Sequence, residues 1–282
     1  MAGLVVNMTV ASLHVYPVKS CGGIQLQRAE VGRLGIRYDR QWAFVDDRGM
    51  FVAQRGDGGQ GIGIRTMCLI GTAFDGDDLV LTAPDAEPLR LPLAGRDGPR
   101  VPVQVWQSRT DGIDQGDDAA AWASAVLGRE RPAHYRLVRM ADDGTRRPKR
   151  GESWLAYADG YPFLVIGEAS LADLNTRLPE PLPMNRFRPN IVLAGSPAYH
   201  EDTVTRLRTG GITFDGMTTC VRCAITTTDQ ATAARGVEPL RTLATYRRAD
   251  GGVIFGRNFN HRGEGPLAVG DRVQEVHGVR EE

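Results

Sequence analysis

Short apolar runs of period two, each closed by Gly, Pro or Asp, recur through both halves of this 282-residue chain and restrict it to a mostly β architecture. Ile24-Gln25-Leu26-Gln27 alternates as a half-buried strand does, with Val31 further on. Trp42-Ala43-Phe44-Val45 and Met50-Phe51-Val52-Ala53 flank Asp46-Asp47-Arg48-Gly49, a four-residue hairpin loop. Leu79-Val80-Leu81 and Leu89-Arg90-Leu91 bracket the Pro84-Asp85 turn, and Val101, Val103 and Val105 alternate ahead of Trp106. Pro92 and Pro102 place their runs at sheet edges or breaks, because proline cannot donate to a ladder. The second half returns to strands at 188–193, 211–214 and after the turn at Val269-Gly270-Asp271. Two segments carry helical spacing: 117–127, with Asp117-Asp118 as its cap and Gly128 as its stop, and 168–178, with Leu171, Leu174 and Leu178 on one face. The expected fold is α+β, mainly β with some α, in two β-rich lobes separated by the polar stretch 141–151, which is a loop near a site or a linker.

One pair of cysteines narrows the chemistry. Cys220-Val221-Arg222-Cys223 has no second pair and no His-x-His to complete a zinc site, and Cys21 and Cys68 stand in no paired spacing. A structural zinc takes four N or S ligands in a tetrahedron. A thioredoxin-type pair opens a helix after a strand, whereas Ala224-Ile225-Thr226-Thr227-Thr228-Asp229 is β-branched and predicts a strand running to a turn. What remains is a thiolate beside Arg222, suited to another metal or to one-sided redox chemistry.

The cations are equally selective. Of 34 basic residues only Lys19 and Lys149 are lysines. Lys149 lies in a polar, loop-like stretch, but Lys19 sits between an apolar run and Gly22-Gly23, followed by Ser20. An ammonium, a hydroxyl and free backbone N–H groups are what a phosphate needs; a surface lysine at a turn is the plain alternative. The glycine-rich 56–63 segment lacks the Lys-Ser/Thr of a P-loop and predicts no nucleotide site. Acids and bases balance at 34 each, so no bulk field favours a nucleic acid polymer or an anionic membrane. With no apolar run near the roughly 20 residues of a membrane span, no basic leader and only four cysteines, the expected location is cytoplasmic.

These pieces together resemble the MOSC family, named for the C-terminal domain of molybdenum cofactor sulfurases, and within it the amidoxime-reducing branch. The resemblance rests on Tyr16-Pro17-Val18-Lys19-Ser20-Cys21-Gly22-Gly23, Asp39-Arg40-Gln41-Trp42, the 168–175 block, Phe187-Arg188-Pro189-Asn190, Cys220-Val221-Arg222-Cys223, Glu238-Pro239-Leu240 and Thr245-Tyr246-Arg247. It implies an N-terminal MOSC β-barrel domain over residues 8–125 packed with a MOSC β-barrel domain over 126–280. It further implies a molybdenum–molybdopterin cofactor (molybdenum on a pyranopterin dithiolene bearing a phosphate), with Cys223 as catalytic residue and metal ligand. Lys19, Ser20 and Arg40 match cofactor-holding positions, as does Arg188; for Arg40 and Arg188 the alternative is ion pairing with neighbouring acids. Arg222 assists the thiolate or points to the pterin. Asp159 and Gly160, with Ala158, match a cofactor segment and are expected to contribute backbone bonds, while Asn190 is expected to organise the strand entry and Cys220 to pack.

The resemblance implies reduction of N-hydroxylated compounds (amidoximes, hydroxylamines, N-hydroxylated bases) by two electrons and two protons, with release of water. The chain shows no flavin fingerprint and no cysteine-rich ferredoxin segment, so a separate electron donor is expected: a ferredoxin, a cytochrome b5-like protein or a flavoprotein reductase. The alternative is a molybdenum cofactor carrier or sulfur-carrier module without turnover, using a free Cys223. Histidines contribute little: His14 reads as structural, His134, His200 and His277 have no evident partners, and His261 falls in a late loop.

Overall fold

Seven strands of the computed structural model, which describes residues 7–56, 61–144, 146–148, 150–249 and 251–276, close into a barrel. They are β1 (Met8–Val15), β2 (Phe163–Gly167), β3 (Ile191–Ala194), β4 (Arg206–Thr209), β5 (Ile212–Val221), β6 (Gly252–Arg262) and β7 (Arg272–Glu275). Around the barrel the order is β2-β3-β1-β7-β4-β5-β6, and β6 returns to β2 through Phe163↔Phe259, Leu164↔Asn258 and Val165↔Arg257. Closure removes the open sheet edges that would otherwise invite pairing with another chain.

The period-two pattern fills the interior. Leu13 and Val15 of β1, Phe163 and Val165 of β2, Ile191 and Leu193 of β3, and Ile212 and Phe214 of β5 form one buried cluster. Phe163 meets Phe214 edge-on at 5.0 Å between ring centroids. The β5–β6 pairing shifts register between Gly216 and Thr218 and again between Thr219 and Val221. Such bulges re-aim the strand locally, and here they lie in the stretch that delivers Cys220.

The two expected helices are α1 (Asp117–Leu127) and α2 (Glu168–Arg177). α1 buries Ala119, Ala123, Val126 and Leu127 against Trp42, Phe44 and Leu137. Its N-cap is Gly116 rather than an aspartate; Gly116 N–H donates to Asp114 Oδ1 at 2.8 Å, which leaves Asp117 and Asp118 in the first turn. α2 is the crossover between the parallel strands β2 and β3 and packs Leu174 against Ile166 and Phe187.

A four-stranded antiparallel sheet holds the other lobe, in the order Arg100–Val105, Ser108–Asp114, Tyr135–Arg139, Trp42–Asp46. Pro102 lies on its edge strand, as proline requires, and Pro92 ends another edge strand in the sheet of Gly71–Asp75, Asp78–Ala83 and Ala86–Pro92. The lobes interleave in sequence: β1 pairs with β3 and β7, Tyr135–Arg139 pairs with Trp42–Asp46, and the expected division at 125/126 falls inside α1.

Three expectations are corrected, for residues 224–227, His261 and His200. Residues 224–227 form a 3-10 turn, not a strand, because the threonines bond backward: Thr226 Oγ1 donates to Cys223 O at 2.9 Å and Thr227 Oγ1 to Ala224 O at 2.8 Å. His261 stands on β6 with Nε2 2.9 Å from Gly32 O, and His200 has a partner, Glu275 Oε2, at 2.9 Å. Of the two readings of the polar stretch 141–151, a loop near a site is the one that fits, since Arg146 is buried and bonds the 156–159 carbonyls. Lys149, His277 and residues 57–60 of the glycine-rich segment lie outside the described residues.

Candidate active site

Lys19, Ser20, Arg40, Asp159, Gly160, Arg188, Arg222 and Cys223 line a single cavity of about 160 Å³ between the two lobes, with Tyr161, Asn190, Cys220 and Asn258 completing its wall. Sequence separations of up to two hundred residues thus converge on one place. Three of its residues hold left-handed backbone, Ser20 at φ 67°, Arg40 at 49° and Arg188 at 56°. For residues with a Cβ this costs about 1–2 kcal/mol each, a strain that characteristically gathers at functional sites.

Lys19 leaves the loop after β1 with its side chain buried, and Nζ donates to Tyr157 O at 3.0 Å and to Asp159 Oδ1. The ammonium also lies 5.2 Å from the centroid of Phe51. Burial lowers the Lys19 pKa, and Asp159 pushes it back up. For Asp159 desolvation works against the charge, but Lys19 and the Trp106 indole N–H, 2.9 Å from Oδ1, hold the carboxyl below its usual range. The Asp159 side chain is therefore engaged, and at Ala158 and Asp159 the backbone carbonyls are taken as well: Arg146 donates to the carbonyl oxygens of Ala156 (2.7 Å), Ala158 and Asp159 (3.1 Å). Burial lowers the Arg146 pKa to about 10.

The two other arginines from the cofactor-like blocks differ. Arg40 Nη1 donates to Asp39 Oδ2 at 2.6 Å and to Asn190 Oδ1 at 3.1 Å, so ion pairing with a neighbouring acid does describe it in part. Arg188 has no hydrogen bond or carboxylate partner for its guanidinium among the described residues; it lies 4.2 Å from the Tyr16 ring centroid, as does Arg40. Burial lowers the Arg188 pKa against the opposing pull of Tyr16, while burial pushes the Tyr16 phenol up to about 12. Asn190 ties β1 to β2, accepting from Leu164 N at 3.3 Å and donating to His14 O at 3.3 Å, while also facing the cavity.

At the opposite wall β5 ends and the 3-10 turn begins, with Cys223 at the junction. Arg186, itself buried, fixes this turn by donating to Thr226 O and Asp229 Oδ2, both at 3.0 Å. Arg222 is directed to Cys220, not to Cys223: Nη1 donates to Cys220 Sγ at 3.0 Å and Nη2 to Phe187 O at 2.7 Å, while Nε is buried without a partner. Cys220 is thus more than packing. Four cations (Lys19, Arg40, Arg188, Arg222) face two carboxylates (Asp39, Asp159), an imbalance that favours an anionic ligand.

A MOSC N-terminal beta barrel domain matches residues 7–130 and a MOSC domain matches residues 152–274. The chain belongs to the MOSC family. Its similar relatives include mitochondrial amidoxime-reducing component 1 of Mus musculus, 34% identical over 284 residues that span 94% of this chain and 81% of that protein. The same component of Homo sapiens is 35% identical over 286 residues, 94% and 82% of the two chains. Mitochondrial amidoxime reducing component 2 of Bos taurus is 32% identical over 289 residues, 95% and 83%.

Within this MOSC fold, several contributors to the cavity carry no signal in the sequence. Arg146 and Arg186 look like solvated charges, yet both are buried supports of cavity loops. Tyr16 and Asp39 do sit inside the blocks that carried the resemblance, and adjacency to Arg40 could have marked Asp39. His14, by contrast, is the structural histidine its pattern predicted, with Nε2 3.0 Å from Ser12 Oγ.

Proposed function

We propose that this MOSC-family chain binds a molybdenum–molybdopterin cofactor in the cavity between its lobes and reduces N-hydroxylated compounds with electrons from a separate donor protein. The observation that carries the proposal is the set of unmet groups sharing that cavity. The Arg188 guanidinium, the Ser20 hydroxyl and N–H, and the Cys223 sulfur have no hydrogen-bond partner among the described residues, and Arg222 Nε is buried and orphaned. These groups face the cavity with their bonding capacity free, and this donor set fits an anionic phosphate on one side and a thiophilic metal on the other.

In this reading Lys19, Ser20, Arg40 and Arg188 hold the phosphate and pterin, and Cys223 ligates the metal. Asp39 and Asn190 fix the Arg40 fork. Asp159 keeps Lys19 charged and placed, and Gly160, around which an added Cβ would meet nothing within 4 Å, leaves open space at the loop. The bound group supplies two-electron chemistry at an N–O bond; the protein supplies the thiolate, the orientation and a shaped wall. No helix of the described residues is long and apolar enough to cross a membrane, and four unbridged cysteines support a reducing compartment, which we take as the cytoplasm.

The test is metal and pterin analysis of protein from a cofactor-competent host, beside Cys223→Ser, followed by reduction of benzamidoxime. About one molybdenum per chain, an altered metal centre in the variant and loss of its turnover are expected. Well-folded wild type without molybdenum, carrying instead a transferable persulfide on Cys223, would replace the reductase by a sulfur carrier.

A further inference from the structure

We infer that Tyr16, which stands behind the cavity wall, is the positioning residue that makes Arg40 and Arg188 one clamp for a phosphate-bearing ligand. This deepens the proposed function and rests on its placing of those two arginines. Tyr16 is 3% exposed and is not among the residues that line the cavity, yet each of its polar groups engages one of the two arginine segments. Its N–H donates to Asp39 Oδ1 at 2.9 Å, and Asp39 in turn accepts from Arg40 Nη1. Its carbonyl accepts from the Arg40 N–H at 2.8 Å. Its hydroxyl donates at 3.1 Å to the carbonyl of Pro189, the residue after Arg188. One buried side chain thus ties together two arginines that stand 148 residues apart in the sequence.

The ring joins the two guanidiniums directly, with the central carbon of each 4.2 Å from its centroid. Like charges converging on one site repel, and the negative face of an aromatic ring attracts a cation, most strongly where water is excluded. Arg40 is fixed by other groups as well: Nη1 bonds Asp39 and Asn190, and Nη2 donates to Arg188 O at 3.3 Å. Arg188 has no such help. Its guanidinium has no hydrogen-bond or carboxylate partner among the described residues, so the Tyr16 ring and a left-handed backbone at φ 56° are what direct it. Burial lowers the Arg188 pKa, Tyr16 opposes this and the Arg40 charge adds to it, as befits two cations held close together. Gly23 belongs to the same arrangement: an added Cβ there would meet Tyr16 Cε1 at 2.4 Å and Cδ1 at 2.6 Å, so this glycine makes room for the ring.

The probe is inorganic pyrophosphate, titrated calorimetrically into the cofactor-free full-length chain. Arg188→Gln should abolish the binding, which assigns it to this site. Tyr16→Leu should weaken the affinity about tenfold, while Tyr16→Phe, which keeps the ring, should stay within about threefold of wild type. Leu207→Ala, a barrel-core variant remote from the arginines, should lose stability without losing affinity. Gly23→Ala, which displaces the ring without removing it, should also weaken binding, and it gives the same test if Tyr16→Leu does not fold. In the Tyr16→Leu background it should add nothing further, because no ring remains to displace. Absence of pyrophosphate binding by wild type, binding that survives Arg188→Gln, an unaffected Tyr16→Leu, or a loss in Tyr16→Phe or Leu207→Ala as large as in Tyr16→Leu overturns the inference. Molybdenum per chain, in protein from a cofactor-competent host, reports the cofactor reading separately. Wild type without molybdenum but with Tyr16-dependent pyrophosphate binding leaves Tyr16 as the organiser of an anion site and removes only the cofactor. Molybdenum present, with a pyrophosphate affinity indifferent to Tyr16, removes only the role of Tyr16.

Discussion

Replacing Arg146 by methionine should unfold the chain earlier and strip the site of its ligand more than that loss of stability accounts for. Arg146 is 5% exposed and its guanidinium bonds three carbonyls, of which those of Ala156 and Ala158 belong to buried residues and that of Asp159 to an exposed one. A hydrogen bond from a charged donor contributes about 1.5–3 kcal/mol net, so the two buried acceptors together represent about 3–6 kcal/mol. The lower end is expected, because burial of this cation is itself unfavourable, as its lowered pKa of about 10 records. A loss of about 3 kcal/mol lowers the melting temperature of a chain this size by about 6–12 °C. Methionine keeps the apolar stem, so the effect isolates the fork. Calorimetry gives the first number, and molybdenum per chain gives the second, compared with Leu207→Ala, a barrel-core variant remote from the loop. If Arg146→Met melts within a degree of wild type, or if both variants lose molybdenum equally, Arg146 does not hold the 156–160 loop in place.

Two further outcomes follow from the same geometry. Ser20→Gly should raise stability by about 1 kcal/mol in chemical denaturation, by relieving the left-handed backbone at φ 67°, while lowering bound molybdenum through loss of the hydroxyl; a destabilised variant would show that Ser20 is not strained. Burial lowers the pKa of both His14 and His261. The unfolded chain therefore binds more protons as pH falls through the ordinary histidine value near 6.5, and stability, complete above it, should decline below it. A His14→Gln/His261→Gln double variant should flatten that decline, and a wild-type stability profile already flat between pH 7 and 5 would contradict it.

Part of the barrel was legible because a period of two needs no partner to be read, as at Ile212 and Phe214; the strand Phe163–Gly167, apolar and buried at every position, carries no such alternation and was not read. The helices were legible for the same reason at their own period. The 3-10 turn after Cys223 was not, because three consecutive threonines score as a strand by side-chain shape, while their hydroxyls here bond backward to the main chain. Arg146 and Arg186 were illegible in principle. Among 32 arginines, what distinguishes these two is a set of carbonyls and a carboxylate that arrive from distant segments, and no local pattern records that arrival.

Lys19 shows why this position takes a lysine in a chain rich in arginine. Its ammonium occupies a slot bounded by the Tyr157 carbonyl, the Asp159 carboxylate and the face of Phe51, with its side chain 5% exposed. A guanidinium in that slot would need room for a planar fork and at least three more acceptors, since it presents five donors and accepts nothing. Arg40 and Arg188, placed by left-handed backbone a short way along the same wall, have that room, and they stack on Tyr16 as a planar cation can. The cavity therefore uses its one described lysine where a point charge must fit a closed pocket, and arginine where a flat, multiply bonding cation must face an open one. That division of labour among Lys19, Arg40 and Arg188 suits the proposed ligand, which joins a compact charged end to an extended planar body.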